Sequence, residues 1–281
     1  MEDNIKILQV LNYMLETEYV KQVHEHLPIM DVVNHEYIRV GRDRDGGYVM
    51  VNDFKDVKTA YSCGINDDIS WDIDFTSKIA RGGGIINIFM YDHTIDKLPE
   101  ERETFHFFKT GITGNYNSNQ PELETLQRLI EQNGHQDDYN MILKMDIEGY
   151  EWEVLENIDV DTLNHFSQIV IEMHWFLNKD LKPAGLENKI LFSLDKLNST
   201  HQLVHIHGNN ASPILRNPNN GQPIFTPPGI MRNGLVLPNS MECTYLRKDK
   251  YKFKESKRFF PTNLDRACDI GRPDINLGFW K

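Results

Sequence analysis

Thiols are scarce in this chain: Cys63, Cys243 and Cys268 are the only cysteines among 281 residues. An odd, dispersed set excludes a disulfide scaffold and paired zinc-ligand spacing, and it suits free, buried thiols in a reducing cytosol; the expected compartment is the cytoplasm. Long apolar runs are also missing. No stretch of about 18 apolar residues occurs, so no membrane span is expected. The segment MEDNIKILQVLNYMLETEYV carries acids and lacks the basic-then-apolar order of a secretory signal. Bases are in deficit, 30 Lys plus Arg against 42 Asp plus Glu, for a net charge of -12. That field repels phosphate backbones, so nucleic acid is not an expected partner.

What is present describes a globular protein. Forty per cent apolar and 26 per cent charged residues, over a length that encloses one large core, predict one main domain with extensions. Residues 1–36 read as a helical extension, with Ile5, Leu8, Leu11 and Leu15 at helical spacing until Pro28. YIRVGRDRDGGYVMV (37–51) reads as a hairpin turning at Asp45-Gly46-Gly47. Strand-like and helix-like segments then alternate: strands at 59–65, 85–92, 105–112, 141–149 and 167–175, with helices at 69–79, 121–134 and from Tyr150. A helix over 187–197, a strand over 201–207 and a last strand over 241–248 follow. Strands apolar on both faces and separated by helices predict a doubly wound, mostly parallel α/β sheet with helices on both faces, spanning 37–250. Within it, 208–240 is rich in Asn, Pro and Gly without periodicity and reads as a substrate loop, while 251–281 is a polar tail anchored by Phe259, Phe260, Phe279 and Trp280.

In such a sheet ligands lie outside the carboxyl ends of the strands. Strand one ends in Ser62-Cys63-Gly64-Ile65-Asn66-Asp67, strand two in Asp92-His93, strand three in Gly111-Ile112, strand four in Asp146-Ile147-Glu148 and strand five in Glu172-Met173-His174. Gly64 permits close backbone approach, and an acid ending strand two suits ribose hydroxyls. Without phosphate-cradling glycines, a ribose-bearing cofactor lacking phosphate fits better than a dinucleotide.

LKMDIEGYEWEVL (143–155), with RVGRDRDGGYVM (39–50), AYSCGINDDISWD (60–72) and IFMYDHTIDKLP (88–99), resembles the FkbM-type S-adenosylmethionine-dependent methyltransferases in a divergent branch. The resemblance covers about residues 37–250. It implies the Rossmann-like class I methyltransferase fold, S-adenosylmethionine as cofactor and Asp92 on its ribose, with Ser62, Gly64, Asn66, Asp67, His93, Gly111, Ile112 and Asp146 also toward the cofactor and Tyr48 and Arg42 over it. Strand one departs from the family's Asp/Glu-x-Gly-x-Gly pattern, so Ser62, Asn66 and Asp67 are the candidates for the methionine end. The acceptors the family implies are hydroxyls of sugars, polyketide-derived compounds or other secondary metabolites.

If strands four and five are neighbours, as the resemblance implies, Asp146, Glu148, Glu172 and His174 meet at their ends. So many acids repel unless Lys144 or a divalent cation neutralises them. The expected metal set is Asp146, Glu172 and His174; oxygen ligands suit Mg²⁺, Mn²⁺ or Ca²⁺, and an imidazole shifts the preference toward Mn²⁺ or Fe²⁺. Asp146 and Glu148 also have a bland reading, as caps of the helix starting near Gly149. Methyl transfer needs an aligned, deprotonated acceptor, so His174, His207, Asp146 and Lys144 are the candidate catalytic groups. Glu148, Tyr48, Asn209, Asn210, Arg216 and Arg232 are candidates for the acceptor, read as a glycan or nucleotide-sugar hydroxyl in surface-polysaccharide or secondary-metabolite biosynthesis. A homo-oligomer is left open. Two rivals stand beside this reading: a metal-dependent hydrolase or phosphoesterase using Asp146, Glu172, His174 and His207, and a noncatalytic glycan-binding module.

Overall fold

The computed structural model describes residues 16–177, 185–212 and 229–280. Seven strands form one sheet. In spatial order they are β11 (His201–Gly208), β14 (Met241–Arg247), β10 (Phe166–Met173), β9 (Met141–Met145), β4 (Thr59–Cys63), β5 (Asn87–Tyr91) and β6 (Phe105–Phe108). All neighbours from β10 to β6 are parallel, and β14 runs antiparallel between β10 and β11. This is the Rossmann-like α/β arrangement expected.

The side-chain period of two splits the core into two layers. Tyr61, Leu143 and Ile171 point into one layer, under helices α1 (16–26), α3 (Leu126–Gln132), α4 (Glu151–Asn157), α5 (Val160–Asn164) and α6 (Leu186–Thr200). Ala60, Ile142 and Val170 point into the other, under α2 (Ser70–Arg81) and the antiparallel hairpin β2 (Tyr37–Val40) and β3 (Tyr48–Val51). On α2 the buried stripe is Trp71, Phe75 and Ile79; on α6 it is Leu186, Ile190, Leu194 and Leu197. Both follow helical spacing. Of the expected first helix, the residues up to Leu15 lie outside the described ones. Cys63, Cys243 and Cys268 are buried and unpaired with one another.

Three expectations change. The strand over 105–112 breaks after Phe108, and β7 (Gly111–Ile112) leaves the sheet to pair with β8 (Leu123–Glu124). The helix expected from 121 starts only at Leu126, where the Thr125 hydroxyl accepts from Arg128 N at 3.4 Å. The stretch 208–240 is not all loop: β12 (Gly229–Arg232) and β13 (Leu235–Pro238) form a hairpin whose turn residues Asn233 and Gly234 have φ of 48° and 80°. Asn-Gly is a strong hairpin signal, and it stood in the sequence.

The first described strand meets the last. β1 (Met30–Val32) pairs antiparallel with β15 (Phe253–Glu255), and the segment beyond it lies along β11. His205 Nε2 is 2.8 Å from Asp265, and His207 sits between Glu242 at 2.8 Å and Asp274 at 3.0 Å. Arg258 donates to Asp31 at 2.7 Å and stacks over Tyr37. Phe260 and Trp280 are buried, whereas Phe259 and Phe279 pack edge to face on the surface. No helix among the described residues is long and apolar enough to cross a membrane.

Asp72 follows Trp71 on the buried face of α2. Burial pushes its carboxyl up to about 6 against the pull of Lys144. An acid whose pKa is higher folded than unfolded keeps its proton preferentially in the native state, so its contribution to stability is lost as pH rises through that value. Asp72→Asn removes this dependence. Relative to the parent, the melting temperature of the variant should climb between about pH 4 and about pH 7 and level off above; a difference that stays flat across that range would contradict the assignment.

Candidate active site

A cleft of about 580 Å³ opens at the carboxyl ends of β4, β5 and β9. Its floor exists because two backbones touch. Gly64 has φ +79°, and a Cβ built there would lie 1.6 Å from the carbonyl oxygen of Asp146. Asp146 N donates to Cys63 O at 3.0 Å, and Lys144 Nζ donates to Gly64 O at 2.6 Å. Only glycine combines that backbone conformation with that proximity. The next turn is held similarly: Glu148 has φ 57° and Gly149 φ 101°, and a Cβ on Gly149 would meet the Trp175 ring at 2.5 Å.

One end of the cleft is partly apolar, with Ile65, Ile112, Leu123 and Tyr91 beside Gly111 and the exposed His93, Asn66 and Asp67. Asp92 borders it but is occupied. Its Oδ2 accepts from Ile65 N and Asn66 N, both at 2.8 Å, and its Oδ1 from Thr94 N at 2.7 Å and Thr94 Oγ1 at 2.6 Å. Burial favours the neutral acid, yet these four bonds outweigh it and hold Asp92 below the usual carboxylate range. A carboxylate has about four acceptor sites, so Asp92 fastens the strand-one loop and has none left for a ribose. Ser62 is fully buried in β4 and does not line the cleft.

The other end is acidic. Asp146 and Glu148 line it with Lys144, Ile147 and Tyr150, and the hairpin loop closes it with Arg42, Asp45 and Gly46. Arg42 pairs with Asp68 at 3.1 Å. Tyr48, buried below, donates to Asp146 Oδ2 at 2.9 Å. Behind Asp146, His174 Nδ1 lies 3.2 Å from Glu151, and its Nε2 lies 3.5 Å from Glu172, 3.7 Å from Glu148 and 3.9 Å from Asp146. Burial opposes charge on His174, but Glu151, Glu172 and Asp146 outweigh it and raise its pKa well above the usual range. Burial and Asp146 likewise raise Glu172, against the pull of His174. A base that already holds its proton is a poor general base, so this imidazole is a charge partner rather than the first proton acceptor.

The sequence brings together Asp146, Glu148, Glu172, His174 and Tyr48, and the structure adds Glu151 and Asp45. Donor atoms of Asp146, Glu151 and His174 lie within 4.8 Å of one another, while Glu172 groups with Asp45 and Glu242. Glu151 was readable only as an acid in the first turn of α4; its role depends on curling back to accept Ile147 N at 2.8 Å. His207 does not reach the cleft, because Glu242 and Asp274 take both ring nitrogens. Asn209 donates to Glu172 at 2.7 Å, and Asn210 to the carbonyls of Asp269, Arg272 and Pro273. Arg232 pairs with Glu16, away from the cleft. Arg216 lies outside the described residues.

Comparison with known proteins bears on the family. A sequence profile of a family described as a methyltransferase domain matches residues 25–206, from the first described helix into β11. Comparisons with curated proteins and with solved structures return no match. The match covers well over half of the chain and takes in every strand end that borders the cleft. This chain belongs to the methyltransferase-domain family.

Proposed function

We propose that the chain is an S-adenosylmethionine-dependent O-methyltransferase whose acceptor is a sugar-type hydroxyl. The observation that carries this reading is the continuity of one cleft, from a partly apolar end at Tyr91 and Ile112 to a proton-accepting carboxylate at Asp146. A volume of about 580 Å³ suits a ligand of nucleoside size with an acceptor beside it. The finer FkbM-type placement rests on the motif at 143–155.

The residues present fit the cofactor. Ile65, Ile112 and Leu123 suit a purine, and Asp67 and His93 offer the polar groups for a ribose that Asp92 does not. Gly64 lets the loop backbone approach the methionine end. Acids outnumber Arg and Lys on the described cleft wall, which favours a sulfonium. When bound, the cofactor supplies an electrophilic methyl on a positively charged sulfur whose leaving form is neutral.

The chain's own part is positioning and proton removal. Asp146 presents a carboxylate to the cleft, fixed by Tyr48 through Oδ2, so Oδ1 takes the hydroxyl proton. Tyr150 and Ile147 border that end of the cleft. The same acidic wall argues against a nucleotide-activated acceptor, since Arg42 is paired and Arg232 is elsewhere; an uncharged glycan hydroxyl fits better.

Asp146→Asn can keep the Tyr48 bond but cannot take a proton. Methyl transfer should fall by about 100-fold or more, with calorimetric affinity for S-adenosylhomocysteine changed less than about threefold. Failure of the purified parent to bind S-adenosylhomocysteine at all would overturn the reading. Gly64→Ala drives a methyl into the Asp146 carbonyl, so it should weaken binding of the same ligand by at least about tenfold; unchanged affinity would show that the loop does not border it.

A further inference from the structure

Lys144 is the odd residue of its strand. It stands in β9 among Met141, Ile142, Leu143 and Met145, and only 6 % of it is exposed. A buried ammonium is costly unless a carboxylate pairs with it. Among the described residues Lys144 forms no ion pair, and its Nζ makes one hydrogen bond, to the neutral carbonyl of Gly64 at 2.6 Å. Asp72 and Cys63 feel its charge without bonding to it. An ammonium has three donors, so two are left over. What remains exposed of the side chain borders the cleft.

The described wall of that cleft carries two fixed cations, Arg42 and Lys144. Arg42 is engaged, with Asp68 at 3.1 Å and with the carbonyl of Asp45. Lys144 is therefore the one with donors to spare. It stands at the Gly64 floor, where β4 and β9 end side by side. Since β4 lies between β5 and β9 in the sheet, a ligand reaching from the apolar end at Ile65 and Ile112 to the carboxylate of Asp146 crosses that floor.

S-adenosylmethionine carries one anionic group, the carboxylate of its amino-acid end. Asp45, Asp67, Asp68, Asp146 and Glu148 line the same cleft, so that carboxylate is repelled unless a cation receives it. On the methyl-transfer reading of the cleft, we infer that Lys144 receives the donor's carboxylate, turning its two spare N–H groups to it while the third holds the Gly64 loop. Charge-assisted bonds of this kind are about twice as strong as neutral ones, and a filled cleft, emptied of water, strengthens them further. Lys144 is thereby a group that selects the cofactor by its amino-acid end, and proton removal is left to Asp146. One side chain then joins two tasks, because the loop it fastens is the loop that the same ligand lies against.

The test is calorimetry of the full-length protein with S-adenosylhomocysteine and with its decarboxylated analogue, which keeps the purine, ribose, thioether and amine. The parent should bind the analogue at least about tenfold more weakly. Lys144→Met, close in length but uncharged, should lose about tenfold or more of its affinity for S-adenosylhomocysteine, while its affinity for the analogue changes less than about threefold. Arg42→Gln should leave the ratio of the two affinities as it is in the parent. A Lys144 that only supported the loop would weaken both ligands alike on substitution, and that result overturns the assignment. So does a parent that binds the two ligands equally, or an Arg42→Gln variant that erases the difference between them; these two results decide the matter even if Lys144→Met fails to fold. Each of the three leaves the methyl-transfer reading standing, whereas a parent that binds neither ligand sinks that reading and this assignment with it.

Discussion

The structure depends on the contact of two backbones at the centre of the sheet. Strands β4 and β9 are parallel neighbours, and where both stop, Gly64 lies against the carbonyl of Asp146. That contact fixes the strand-one loop over the end of strand four, and Asp92 then fastens the same loop from the other side by accepting two of its amides. The cleft is what remains between these fastenings. Its two ends differ in character because β5 and β7 bring apolar and small residues to one, while the turn after β9 and the β2–β3 loop bring carboxylates to the other.

The layout of the sheet was legible because burial on both faces writes itself as apolar runs interrupted at most by a single charge. MILKM and IVIEM are such runs, and they lie at the core of the sheet where they were expected. The ends of elements were less legible. FHFFKTGI has no turn residue strong enough to reveal the break after Phe108, yet Gly111 and Ile112 must leave the sheet to pair with β8. The β12–β13 hairpin carried its Asn-Gly signal, but the surrounding Asn and Pro diluted it.

The site was legible by position and opaque by partner. The strand-end rule selected Gly64, Asp92, Asp146 and His174 without knowledge of their contacts. It could not reveal that Asp92 spends its acceptors on backbone, because those amides belong to a loop whose shape is set by Gly64. It could not reveal Glu151, whose sequence position says helix start and whose side chain says otherwise. His207 shows the opposite error: a histidine at a strand end, two residues before Asn209, answers to a carboxylate 67 residues away. Long-range pairing of that kind leaves no local trace.

That pairing has a consequence for anyone handling the molecule. The imidazoles of His205 and His207 lie on a strand of the central sheet, yet two of the acids that satisfy them, Asp265 and Asp274, come from the last stretch of chain. Shortening the protein before that stretch would not trim a dispensable appendage; it would leave His205 without Asp265 and His207 with Glu242 alone. The fold therefore closes like a parcel whose final flap holds the inner wrapping shut.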